Sequence, residues 1–279
     1  MYLNLYRFII LKIEILTGLK TAQLCELREL KLTYCLAINV NKGIVFASDS
    51  RTNAGVDYVA SYSKMTTFVF PGDRSLVLLT SGSLATSQAV INSIKTDLND
   101  PAAKFNLCKG KYLHEVAKYI GQISQREQKQ HAEAMEKSRT SAESTFILGG
   151  QIAGQPCEIF LIYPQGNYIA ASPETPYIQI GENKYGKPIL DRIIVSNTTL
   201  EDAARCAIVS LDSTIRSNIS VGPPIELAIY TNNHIEAPYR TSLSTNSVMY
   251  KSVQKHWNEG LKRAFNKLPR FEWEKPVSK

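Results

Sequence analysis

Apolar positions along this chain fall into two rhythms, short continuous runs and longer segments with helical spacing. Tyr34–Val40 and Ile44–Ser48 are apolar runs joined by Asn41-Lys42-Gly43, residue types that accept the positive φ of a hairpin turn. Thr66–Phe70 and Leu76–Thr80 form a second such pair around Pro71-Gly72-Asp73, with Pro and Gly where a tight turn wants them. Ser81-Gly82-Ser83 then breaks the run, and Ser83 is placed to cap a helix from Leu84 to about Leu98, ended by Asp100-Pro101. Leu113, Val116, Ala117, Ile120 and Ile123 recur at three- and four-residue spacing, which predicts a second long helix from near Lys111. It runs into an almost wholly polar stretch, 124–144, that is a solvated extension of the helix or a loop.

Strands return at Thr145–Gly150, Glu158–Tyr163 and Asn167–Ala171, separated by Gly-containing turns. Gly181 closes a further strand, and a short helix follows to about Arg192. Thr198 or Thr199, with Glu201 and Asp202 behind it, starts a helix that reaches about Ser217, its acids at the positive end of the dipole. Ile225–Tyr230 and Glu236–Thr241 are the closing strands, around Asn232-Asn233. In the tail, Val253, Trp257, Leu261 and Phe265 are spaced for one face of an amphipathic helix.

Composition bounds this picture. A chain of 279 residues, 44% hydrophobic and 20% charged, is long enough for a full core and has a globular profile. The net charge of +7 suggests a nucleic-acid partner only until it is located. Residues 1–32 carry five basic and three acidic side chains, and residues 248–279 carry eight and three, so the body between them is neutral. The apolar stretch Phe8–Leu16 is broken by Lys12 and Glu14, which fits neither a signal peptide nor a membrane span. Neither nucleic acid nor membrane is therefore expected as a partner. Five cysteines lie far apart, with no spacing that suits a metal, so free thiols in a reducing cytoplasm are expected. His114 and His131 read as helix-face residues, and Cys35 as a small buried hydrophobe.

Candidate chemistry gathers at the first hairpin. Thr33 heads one strand, Asp49 ends its partner, and Lys64 follows fifteen residues later, so a nucleophile and a charge pair can converge. The strand–Gly82–helix junction leaves backbone N–H groups facing outward, where they can receive an anion; a tight-turn glycine is the plainer reading.

Thr33–Gly55, Lys64-Met65, the run LVLLTSGSLATSQAV, IGENKYGKPILDR and LDSTIRSNISVGPPIEL together resemble the proteasome-type N-terminal-nucleophile hydrolases, most of all their bacterial ancestral-β-subunit (Anbu) branch. The resemblance covers about Thr33 to Arg240. It implies an α+β fold, the αββα four-layer sandwich, with Thr33 as the nucleophile and its own α-amine as the base. It also implies Asp49 and Lys64 as the charge pair, Gly82 as the oxyanion donor, and Asn218 and Ser220 as secondary members of the proton path. The expected activity is cleavage of amide bonds in peptides or unfolded proteins by subunits self-assembled into a ring or spiral, with no metal or organic cofactor. A non-catalytic ring or scaffold protein of the same fold, and an amidase acting on a small molecule, are the alternatives. The chain itself identifies no unfoldase partner.

Three departures accompany the resemblance. Lys64 arrives one residue early relative to most proteasome β subunits; Glu182 stands where they place Ser; and Leu32, not Gly, precedes Thr33. The chemistry requires Thr33 to be the first residue. Residues 1–32 are therefore expected to be a propeptide or, preferably, a mis-called start. Residues 33–247 are expected to be the hydrolase domain, and 248–279 a basic helix and tail that docks on a neighbouring subunit or, alternatively, covers its own.

Overall fold

The computed structural model describes residues 33–53, 59–137 and 140–274. The expected 1–32 extension lies outside them. Two five-stranded antiparallel sheets carry the architecture. The first has the order β10-β1-β2-β11-β12, with β1 Tyr34–Val40, β2 Gly43–Ser48, β10 Tyr177–Gly181, β11 Ile225–Thr231 and β12 Tyr239–Leu243. The second is β5-β6-β7-β8-β9, with β5 Met65–Phe70, β6 Arg74–Gly82, β7 Ser144–Ile152, β8 Glu158–Ile162 and β9 Tyr168–Ala170. A separate two-stranded ribbon pairs β3 Arg51–Asn53 with β4 Val59–Ser61. Helices α1 Leu84–Asn99 and α2 Leu113–Lys137 pack on the second sheet, and α3 Lys187–Ile193 and α4 Leu200–Ser217 on the first. Helix α5, Val248–Asn266, follows β12 and packs on α4.

Strand periodicity makes the layers. Along β1, Tyr34, Leu36, Ile38 and Val40 join the cluster under α3 and α4, while Cys35 and Ala37 face the other way. Along β6, Leu76 and Leu78 meet α1 and α2, while Val77 and Leu79 face the opposite side. The inward sets meet between the sheets with Ile44, Phe46, Ile147 and Tyr230, so both faces of the central strands are dry. That is why these strands read as unbroken apolar runs. The order helix, sheet, sheet, helix is the αββα sandwich expected from the resemblance.

Both predicted caps form: Ser83 Oγ accepts the Thr86 N–H at 3.3 Å, and Thr199 Oγ1 accepts the Asp202 N–H at 3.1 Å. Other boundaries move. The polar stretch after Ile123 continues α2 as helix to Lys137, so it is an extension and not a loop. The last strand begins at Tyr239: Asn232 and Asn233, the latter at φ 63°, form the turn, and 234–238, ending in Pro238, stay outside the strand ladder. The tail stripe is only half a packing face. Val253 rests on the α4 cluster and Tyr250 is buried, with its hydroxyl donating to Asp212 Oδ1 at 2.9 Å, but Leu261 and Phe265 stand exposed.

Candidate active site

The hairpin register decides what Thr33 meets. Cys35 pairs with Ser48, so Asp49 emerges opposite Tyr34, one residue from Thr33. Asp49 is fully buried and its carboxylate accepts from three donors. Oδ1 accepts the Tyr34 N–H at 3.0 Å and the Lys64 ammonium at 2.7 Å, and Oδ2 accepts the Gly222 N–H at 3.2 Å. Lys64, itself 7% exposed, also donates to the Arg51 carbonyl at 2.7 Å. Its own carbonyl accepts the Thr80 N–H at 3.0 Å, which ties the lysine to the second sheet. Burial pushes the Asp49 carboxyl above the ordinary carboxylate range, while Lys64 and the two backbone donors pull it back. Two buried charges at this distance survive only because each has further hydrogen-bond partners.

Thr33 lies just before β1 and is itself buried. Its carbonyl accepts the Glu182 N–H at 2.7 Å. The close approach needs a glycine: Gly181 has φ +82°, and a Cβ there would lie 1.9 Å from the Thr33 carbonyl oxygen and 3.2 Å from Ser81 Oγ. Gly181, at the end of β10, therefore has the Thr33 carbonyl and the Ser81 side chain of β6 both close to it. Gly82 itself turns the chain from β6 into α1, with the Glu143 carbonyl in the space a Cβ would take. The turn alone accounts for glycine at this position; its N–H as an oxyanion donor remains a reading of function.

The third flank is the loop after α4. Asn218 Nδ2 donates to Glu182 Oε2 at 3.3 Å, and Asn218 Oδ1 accepts both the Ser220 N–H at 3.0 Å and the Ser220 hydroxyl at 2.5 Å. Two residues on, Gly222 reaches Asp49. The loop is thus tied at one end to Glu182, which holds the Thr33 carbonyl, and at the other to Asp49, which holds the Tyr34 N–H. The Arg51 guanidinium packs on Gly222 and donates to the Ile219 carbonyl.

Of the residues the sequence singled out, Asp49 and Lys64 pair directly, Asp49 reaches the residue after Thr33 through the Tyr34 N–H, and Asn218 and Ser220 connect to Thr33 and Asp49 through Glu182 and the 218–222 loop. Sequence reasoning missed the Tyr34 and Gly222 N–H groups and the Arg51 carbonyl, because backbone groups leave no signature in residue type. Glu182 stood out there only as a mismatch; in the fold it is a partner. Cys35 is no rival nucleophile: its thiol donates to the Thr80 carbonyl at 3.5 Å, and burial pushes its ionisation up. Among the described residues no group of three or more His, Cys, Asp or Glu could hold a metal ion. A cavity of about 700 Å³ lies elsewhere, between α4 and α5, lined by Cys206, Val209, Val253 and Trp257 among others.

Residues 32–230 match the family model described as proteasome subunit. The chain is similar to the solved structure of Anbu (ancestral β-subunit) from Yersinia bercovieri, 38% identical with a TM-score of 0.81, over 86% of this chain and 99% of that one. It is also similar to Anbu from Hyphomicrobium sp. strain MC1, 38% identical with a TM-score of 0.78, over 86% of this chain and 100% of that one. A third similar structure is a helical assembly of the Anbu complex from Pseudomonas aeruginosa, 40% identical with a TM-score of 0.77, over 86% of this chain and 98% of that one. No curated protein matches.

Proposed function

The chain belongs to the proteasome subunit family, and on that premise we propose that it is an amide hydrolase of peptides or unfolded proteins with Thr33 as its N-terminal nucleophile. The observation that carries this reading is the dry Asp49–Lys64 pair at 2.7 Å, with the same carboxylate oxygen bonded to the Tyr34 N–H. An ion pair buried beside the first strand adds nothing to the core that apolar side chains would not supply. It does supply a fixed cation where a hydroxyl must become an alkoxide.

Freed at Thr33, the chain's α-amine has a reference pKa of about 7.7–8.0 and is partly neutral near pH 7.5. It takes the Thr33 Oγ1 proton as that oxygen attacks the scissile carbonyl. Lys64, kept charged by Asp49, favours both the neutral amine and the developing alkoxide. The Gly82 N–H receives the oxyanion, a donor worth about 3–4 kcal/mol of barrier in comparable sites. The ammonium then returns the proton to the leaving nitrogen as the C–N bond breaks. Water, deprotonated by the same amine, cleaves the Thr33 ester. No step needs a metal or organic cofactor.

Self-association belongs to this proposal. The Pseudomonas aeruginosa relative forms a helical assembly, and this chain carries Phe265, Leu268 and Phe271 exposed at 57–72% at its C-terminal end. A second copy of the chain is the partner proposed for that end.

Two measurements test the hydrolase. Intact mass of the protein made from its own gene is expected to place Thr33 first. Fluorogenic peptide cleavage is expected to vanish in Thr33→Ala; cleavage that persists unchanged in that variant overturns Thr33 as the nucleophile, and a wild type with Thr33 first that cleaves nothing leaves a scaffold of the same fold.

A further inference from the structure

We propose that the bare half of α5 pairs antiparallel with the same half of α5 in a second copy, crossing at Gly260 and Leu261, so that each Phe265 enters the groove beside the other's Trp257. This names a surface for the self-association proposed above and is independent of the chemistry of Thr33. Charge placement along α5 comes first. At helical spacing Tyr250, Val253, Trp257, Leu261, Ala264 and Phe265 share one side, while Lys251, Lys255, Glu259, Lys262 and Arg263 fall elsewhere. A side kept free of charge over its whole length suits burial over its whole length. Only its first part is covered: Tyr250 and Gln254 bond to Asp212, and Val253 rests on the α4 cluster. Beyond them the cavity of about 700 Å³ opens between Cys206 and Val209 of α4 and Trp257 of α5. Leu261, Phe265 and Leu268 stand half or more exposed.

Gly260 points to a close neighbour. Glycine is among the least favourable residues in mid-helix, so its presence there wants a packing reason. Gly121 in α2 has one, because the Gly166 backbone occupies the place its Cβ would take. At Gly260 a Cβ would meet nothing within 4 Å among the described residues. A backbone arriving from a second molecule supplies the same reason. Symmetry then selects α5 itself. Phe265 lies eight residues past Trp257, about 12 Å along the helix, so one helix carries both the projecting ring and the groove. Positions 257 and 265 are equidistant from 261, and two copies set antiparallel about that point fill both grooves at once. Gly260 and Ala264 are small enough to let the two axes come close at the crossing. Antiparallel order also keeps apart the two basic ends, each with Lys262, Arg263, Lys267 and Arg270, which parallel order would set side by side. The exposed parts of Met249, Leu261, Phe265 and Leu268 offer roughly 500 Å² of apolar surface per copy, which a polar rim brings to the ~800 Å² a partner of a stable interface.

Gly260→Leu tests this without touching the core. In the single chain the new side chain stands in open space and replaces glycine by a strong helix former, so melting temperature is expected to hold or rise. In the pair it stands in the crossing, so sedimentation velocity is expected to show association at least tenfold weaker than in the wild type. Leu261→Cys, made with Cys25 and Cys108 changed to Ser, reports the register. Under copper–phenanthroline, which takes two electrons as two thiols lose their protons, it is expected to form a 261-to-261 disulfide, seen as a doubled chain on a non-reducing gel. Lys255→Cys, on the charged side, is expected to stay largely single. Gly260→Leu that associates like the wild type, or Leu261→Cys that links no more readily than Lys255→Cys, overturns the α5 crossing and leaves self-association to another surface. A lowered melting temperature in Gly260→Leu places the chain's own residues against that glycine and overturns the inference as well. A wild type that sediments as one chain at every concentration overturns self-association, and this inference with it, while leaving the Thr33 mechanism untouched.

Discussion

At the scale of single residues, Asp49 concentrates the energetics of the site. It is buried and answers to three donors, of which only Lys64 is charged. Lys64→Met removes that partner and leaves a carboxylate in a dry site, at a cost of about 3–5 kcal/mol. Calorimetry is expected to show melting about 10 °C lower, along with lost peptide cleavage. The same burial sets a pH signature. The Asp49 carboxyl sits above its ordinary 3.8, so on acidification it regains its proton earlier than an unperturbed aspartate and releases Lys64. Cleavage is expected to fall with a slope of one below the pKa of the α-amine and to steepen to a slope of two as pH approaches that raised value. A profile that keeps a slope of one down to about pH 4, where free aspartate titrates, contradicts it. The three side chains of this cluster were legible in the sequence, because hydroxyl, carboxylate and ammonium announce their chemistry. The Tyr34 and Gly222 amides that hold the carboxylate were not, since any residue presents the same backbone.

At the scale of elements, the site depends on how closely β10 can pass Thr33. Gly181→Ala adds a methyl 1.9 Å from the Thr33 carbonyl at a φ of +82°. Gly154 offers the control, with a similar φ of +76° and nothing within 4 Å of a Cβ. Gly154→Ala is expected to cost only the backbone strain, about 1–2 kcal/mol, and to leave cleavage intact. Gly181→Ala is expected to cost more in a urea titration and to lower peptide cleavage at least tenfold, because the methyl displaces the nucleophile's own residue. Equal effects of the two substitutions contradict the close-approach argument. Element types were readable where two dry faces made continuous runs, as in β1, β2 and β6, and where Ser83 and Thr199 supplied caps. The β3–β4 ribbon escaped notice because Arg51-Thr52-Asn53 carries no apolar period and belongs to neither large sheet. The β12 boundary slipped because the Asn232-Asn233 turn is followed by a non-strand stretch through Glu236 and Pro238.

At the scale of the whole molecule, the helical period of the tail predicted a face but not what covers it. Only its first half meets α4, where Tyr250, Gln254 and Arg216 all bond to the buried Asp212. Beyond that, Phe265 and Phe271 stand 72% and 65% exposed on a strongly basic end. Isolated exposed aromatics are ordinary; a run of them at one end marks a contact surface. Sedimentation velocity is expected to find species heavier than one 31.1 kDa chain. Replacing Phe265, Leu268 and Phe271 together by Ser is expected to shift the distribution toward the single chain, with melting temperature unchanged. An unaltered distribution removes the tail from the assembly contact.

The three donors to Asp49 come from widely separated stretches of sequence: the start of the first strand, the segment before the second sheet, and the loop leading into β11. A chain still emerging from synthesis owns the threonine long before it owns the loop. The aimed lysine is thus a certificate of completion, and on the proposed chemistry a half-made polypeptide carries its threonine without the means to use it on its neighbours.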